Sequence, residues 1–88
     1  MPYKRVKAQG TTFVFKYELD VPDILHIYAR HKKEPDDAIY LFFEGPSYWN
    51  LKRGLYETIV GTEGLWWFWI DEEARIVMVV SCFDTYRK

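Results

Sequence analysis

The chain has 88 residues, 49% hydrophobic and 19% aromatic, with 12 Lys and Arg against 13 Asp and Glu for a formal charge of −1. That length fits one domain with a thin stability margin. The apolar fraction excludes intrinsic disorder, and near neutrality excludes a global field that would draw the whole protein to nucleic acid or a membrane surface.

Residues 1–10 hold Lys4, Arg5 and Lys7 and no acid, which predicts a flexible basic N-terminal arm ahead of one domain spanning 11–88. In "TTFVFKYEL", Phe13, Phe15, Tyr17 and Leu19 alternate with Thr12, Val14, Lys16 and Glu18, the period of a strand. Asp20, Pro22 and Asp23 then signal a helix start, with Ile24, Leu25, Ile27 and Tyr28 as its apolar stripe and a basic end at Arg30 to Lys33. Pro35, Asp36 and Asp37 open a second helix, apolar at Ala38, Ile39, Leu41, Phe42 and Phe43 and closed by Gly45-Pro46. Strands are predicted over 48–51, 55–60, 65–70 and 75–81, joined by turns tight enough for an antiparallel meander. The expected fold is α+β: a small antiparallel β-sheet meander with two helices packed on one face, in the order β-α-α-β-β-β(-β).

The run Leu65-Trp66-Trp67-Phe68-Trp69-Ile70 is apolar on both faces. Leu65, Trp67 and Trp69 point one way; Trp66, Phe68 and Ile70 point the other. Two short helices cover one face of such a sheet. The second face either curls over the arm and first strand or binds another chain, so Trp66, Phe68 and Ile70 are candidate partner-binding residues.

Cys82 stands alone, which excludes an intramolecular disulfide and a cysteine-based zinc site and predicts a reducing cytoplasm. It continues the last strand as a packed thiol. His26 and His31 are five apart, off the spacing of a chelating pair, and no metal or other cofactor is expected. The longest apolar run is six residues, far below the ~20 that span a bilayer, and the first residues lead into no stretch of signal length. No membrane partner is expected.

"ILHIYARHKKEPDDAIYLFFEGP", with Arg30-His31, Pro35-Asp36-Asp37-Ala38 and Phe42-Phe43, resembles the helix pair of BrnT-type toxins, part of the RelE/ParE-like group. "GLYETIVGTEG" is similar to that family's Gly-x-Tyr and Gly-x-Thr, at Gly54, Tyr56, Gly61 and Thr62. "RIVMVVSCFDTYRK" is similar to its closing stretch, at Arg75, Val80, Ser81, Asp84, Arg87 and Lys88. Two positions depart: Phe83 stands where the family carries an arginine, and no basic residue lies near Gly64-Leu65.

The resemblance implies a toxin of a type II toxin–antitoxin pair that cuts messenger RNA without a metal and so inhibits translation. Its partner would be an antitoxin that supplies the DNA binding, since this chain has no DNA-reading element of its own. RNA carries the 2′-hydroxyl that such chemistry needs. His31 is the acid/base candidate because its charge changes near neutral pH. Arg53 and Tyr56 complete the candidate catalytic set, Tyr56 by stacking a base or donating a proton. Arg30, Lys52 and Arg87 are the candidates for holding RNA phosphate. The competing reading is a catalytically inactive scaffold that uses its aromatic face for protein binding or homo-oligomerisation. Convergence of the basic residues near His31 favours the nuclease, and a flat exposed tryptophan patch favours the binder.

Overall fold

The structure, a computed structural model, describes residues 3–18 and 24–85. It is a small α+β fold: six strands in one mixed sheet and two helices, β1 (Tyr3–Ala8), β2 (Thr11–Lys16), α1 (His26–His31), α2 (Pro35–Glu44), β3 (Ser47–Asn50), β4 (Leu55–Val60), β5 (Glu63–Asp71) and β6 (Ile76–Asp84). The order across the sheet is β1-β2-β6-β5-β4-β3. Every neighbouring pair is antiparallel except β2 and β6, which run parallel.

Two expectations are corrected. The predicted flexible arm is an edge strand, held by pairing from Tyr3 against Lys16 to Ala8 against Thr11. Its Val6 and Ala8 pack on the core while its cations stay in solvent. The alternation was present, but the charges disguised it. The predicted all-antiparallel meander holds only for β3 to β6, because β2 returns beside β6 in parallel. This places β2 and β6 inside the sheet, where strands are apolar on both faces. Phe13, Val14 and Phe15 are accordingly all buried. The expected helix-start signals at Asp20, Pro22 and Asp23, like the candidate Arg87, lie outside the described residues.

Both helices cover the same face. Ile27 of α1 and Ala38 and Leu41 of α2 share one core with Phe13, Phe15, Leu65, Trp67, Val77, Val79 and Cys82. The core is an aromatic lattice: Phe42 meets Phe13 edge-on at 5.1 Å and Trp67 at 4.8 Å. Its polar atoms are satisfied. Trp67 Nε1 donates to Thr58 Oγ1 at 3.0 Å, and Thr58 also bonds Ser47 at 2.7 Å. Cys82 is fully buried there, and burial pushes its thiol up to about 12, so it is an inert packing group.

α2 starts on Pro35 behind a capping box in which Glu34 and Asp37 each accept from the other's backbone N–H. α1 has no such cap. It ends on Lys32, whose left-handed backbone (φ 59°) turns the chain so that Lys33 faces back onto the sheet. There Lys33 Nζ bridges Glu63 at 2.9 Å and Asp84 at 2.8 Å, which are themselves paired across β5 and β6. The ammonium separates two carboxylates that would otherwise repel, and its pKa is raised, first by the Asp84 hydrogen bond.

Two features shape the face that carries no helix. A β-bulge sets Trp66 opposite Ser81 but Trp67 opposite Val79, leaving Val80 as the extra residue of β6. The alternation of β6 slips by one there. Cys82 continues the buried side of Val77 and Val79, while Ser81 and Phe83 turn to the open face beside Trp66. Gly64, opposite Phe83, then has a steric task. A Cβ at Gly64 would lie 2.6 Å and 2.8 Å from two atoms of the Phe83 ring. The open face therefore needs a residue without a side chain at this point, so that the ring can lie across β5.

Candidate functional site

β2 stays beside β6 only to the Phe15–Val79 pair. Past that point α1 packs along β6. There the last turn of α1 borders β6, and a cleft of about 480 Å³ opens between them, lined by Arg30, His31, Lys32, Trp66, Ser81, Phe83 and Asp84. No single element supplies it: α1 gives the basic rim, β5 the Trp66 ring, and β6 the floor and one carboxylate.

The aromatic part is pre-ordered. Trp66 and Phe83 meet edge to face with centroids 4.9 Å apart, and His31 stands 6.3 Å from Phe83. Trp66 Nε1 donates to Glu57 Oε2 at 3.0 Å, which fixes the indole. The Arg53 guanidinium lies over the same indole at 4.3 Å, a cation–π contact made from the β3–β4 turn to β5. That turn is built for the purpose: Asn50 Oδ1 accepts from the Arg53 backbone N–H, and Gly54 takes the positive φ (69°) that closes it.

Arg30 is positioned from behind. Its Nε and Nη2 both donate to Glu18 Oε2, at 3.1 and 2.8 Å, while His26 Nδ1 donates to Glu18 Oε1 at 3.1 Å. The Arg30 guanidinium, and then His26, hold the Glu18 carboxyl below its ordinary pKa against the opposing effect of burial. This grip uses one edge of the guanidinium and leaves Nη1 for a ligand. His31 is pushed below its ordinary pKa, chiefly by burial and then by the charge of His26, with Asp84 pulling the other way. It is therefore neutral near pH 7, the state that can accept a proton.

Four candidates from the sequence meet here: Arg30, His31 and Trp66 in the cleft and Arg53 against it. Lys52 is exposed in the same turn as Arg53. Tyr56 is not at the cleft. Its register partner is Trp67, so it lies on the helix-covered face, stacked on the Trp67 ring at 4.7 Å and 19°. Phe68 is on the open face and 39% exposed; Ile70, the extra residue of a second bulge between Trp69 and Asp71, is 52% exposed. Trp66 beside them is half-buried under Phe83 and Arg53. Among the described residues the open face is thus neither folded over by the N-terminal segment nor a flat tryptophan patch. Sequence reasoning gave no site role to Glu18, Lys32 or Glu57, and met Phe83 and Asp84 only as a departure from and a match to the family's closing stretch. Carried on to Asp84, the period of the last strand sets Phe83 with Val77 and Val79 on the covered face; only the bulge at Val80 brings it to the cleft. The Glu18–Arg30 and Glu57–Trp66 pairings depend on tertiary register and leave no local signal.

Among the described residues no group of three or more His, Cys, Asp or Glu is arranged to hold a metal, and no helix is long and apolar enough to cross a membrane. Compared with protein-family models, curated proteins and solved structures, the chain matches none.

Proposed function

We propose that this chain is a RelE-like, BrnT-type toxin whose open-face cleft binds RNA and cuts it by attack of a 2′-hydroxyl on the adjacent phosphorus. The observation that carries this reading is the meeting of Arg30, His31 and Lys32 with the Trp66–Phe83 pair, with Arg53 closing over Trp66. Aromatic faces take up a base and cations take up the phosphate next to it. Neutral His31 accepts the 2′-hydroxyl proton. Arg30 and Arg53 balance the charge that grows on the phosphoryl oxygens, and Lys32 on the same rim returns a proton to the departing 5′-oxygen. The products are a 2′,3′-cyclic phosphate and a 5′-hydroxyl. Phe83 then does by stacking part of what the family's arginine does by charge. A DNA-binding antitoxin that covers Phe68 and Ile70 would close the cleft.

A second reading, a non-enzymatic binding module, is favoured by a different observation. Tyr48, Trp49 and Leu51, in and just beyond edge strand β3, are 60%, 54% and 84% exposed, which suits pairing with another chain. Inducible expression in a bacterium separates the two. Growth arrest by the intact chain, relieved by His31→Ala or Arg53→Ala, supports the toxin. Folded protein that causes no arrest supports the module.

A further inference from the structure

We propose that the open face is a track for single-stranded RNA, with a phosphate site on the β1–β2 hairpin, made by Arg5, Lys7 and Lys16, that is separate from the cleft. This rests on the RNA reading above and extends it from the cut point to the flanking strand.

The register of the sheet makes the argument. Arg5 pairs with Val14, Val14 with Met78, and Met78 with Phe68, so these four form one row across β1, β2, β6 and β5. Met78 and Phe68 lie on the face opposite the buried Val77, Val79, Trp67 and Leu65, hence Arg5 does too. Lys7, two residues on, shares that face, and so does Lys16, which pairs with Tyr3. All three cations are exposed, and among the described residues none forms a salt bridge.

Three strand spacings of ~4.8 Å put Arg5 about 14 Å from Phe68. Between them the apolar floor is the half-buried Met78, with Val14 closed off at 3% exposed. The face thus reads, from one edge inward, as cations, apolar floor, then the rings of Phe68 and Trp66, with Arg53 beyond. A flexible chain that is anionic at each repeat and carries a π-face at each repeat fits that sequence of surfaces. Lysines on an edge strand also discourage stray pairing, but edge protection alone does not explain the pattern. β3, the other edge, reads Ser-Tyr-Trp-Asn and has no charge, and Lys16 is not on an edge at all.

The test is fluorescence anisotropy with labelled 2′-O-methyl oligonucleotides, which lack the attacking hydroxyl and report binding whether or not the chain cuts RNA. A trinucleotide fills the cleft alone; a dodecanucleotide also reaches the hairpin. Arg5→Ala/Lys7→Ala/Lys16→Ala is expected to weaken dodecanucleotide binding about tenfold or more and to flatten its log–log salt slope by about 2, leaving the trinucleotide unchanged. Arg53→Ala weakens both. Should the triple variant lose its fold by circular dichroism, Lys16→Gln alone gives the same sign with about a third of the slope change. Dodecanucleotide affinity and salt slope unchanged in the variant, while Arg53→Ala still weakens binding, would overturn the track and leave the cleft reading intact. Binding of polyglutamate through the same cations, without RNA binding, also overturns it, since the occupant is then an acidic polypeptide. Length-dependent binding that needs these cations, in a protein that cuts nothing, supports the track and removes the nuclease reading.

Discussion

Trp66 and Trp67 are adjacent in the chain and sit on opposite faces of the same strand. Trp67 is 4% exposed, wedged among Phe42, Tyr56 and Trp69, with its N–H spent on a buried threonine. Trp66 is half-buried, with its N–H on the carboxylate of Glu57 and its ring between Phe83 and an arginine. One face is closed by two helices and spends its aromatics on cohesion. The other is left open and surrounds its aromatics with charge. The same residue type does both, and what differs is the company that register supplies.

The sharpest way to break this contrast is to truncate each indole in turn. Trp67→Ala should cost about 3–5 kcal/mol in urea unfolding, a large fraction of the stability of a domain of this size. Trp66→Ala should cost about 1–2 kcal/mol and abolish RNA binding instead. Equal costs would dissolve the distinction between the faces.

Lys33→Met comes next, at about 1–3 kcal/mol, because it leaves Glu63 and Asp84 opposed across β5 and β6 with no cation between them. The raised pKa of Lys33 makes a companion prediction. Its contribution is full below the unfolded value near ~10.4 and is lost as pH climbs above it. Gly64→Ala sharpens the open face specifically. Pushing the Phe83 ring aside should cost about 1–2 kcal/mol and weaken RNA binding in the same variant.

The smallest effect is the pH response of His31. Its folded pKa lies below the unfolded value of ~6.5, so the unfolded chain binds more protons in that window. Stability should therefore fall slightly as pH drops below ~6.5, and RNA cleavage should fall at the lower pH where the folded imidazole becomes protonated. An NMR titration of the His31 ring midpoint checks this; a midpoint above 6.5 contradicts it.

Much of this was legible in the sequence because strand and helix periods are local. The alternation of Phe13 and Phe15, the Pro35-Asp36-Asp37 start and the split of Leu65 to Trp69 between two faces all appear in the structure, while a bulge takes Ile70 out of the register. The first strand was missed because Lys4, Arg5 and Lys7 read as solvent, and an edge strand exists only through its neighbour. The parallel β2–β6 pair and the bulge at Val80 are long-range events without a sequence signature. Of the candidate site, Arg30, His31, Arg53 and Trp66 meet at one cleft, while register alone carries Tyr56 to the other face. Arg87 lies outside the described residues.

The most direct measurement follows the two indole N–H signals in a two-dimensional NMR titration with a 2′-O-methyl oligonucleotide. The Trp66 signal should shift or broaden on binding while that of Trp67 stays in place. Both signals unmoved at saturating RNA, or Trp67 moving as far as Trp66, would contradict the assignment of the open face as the working surface.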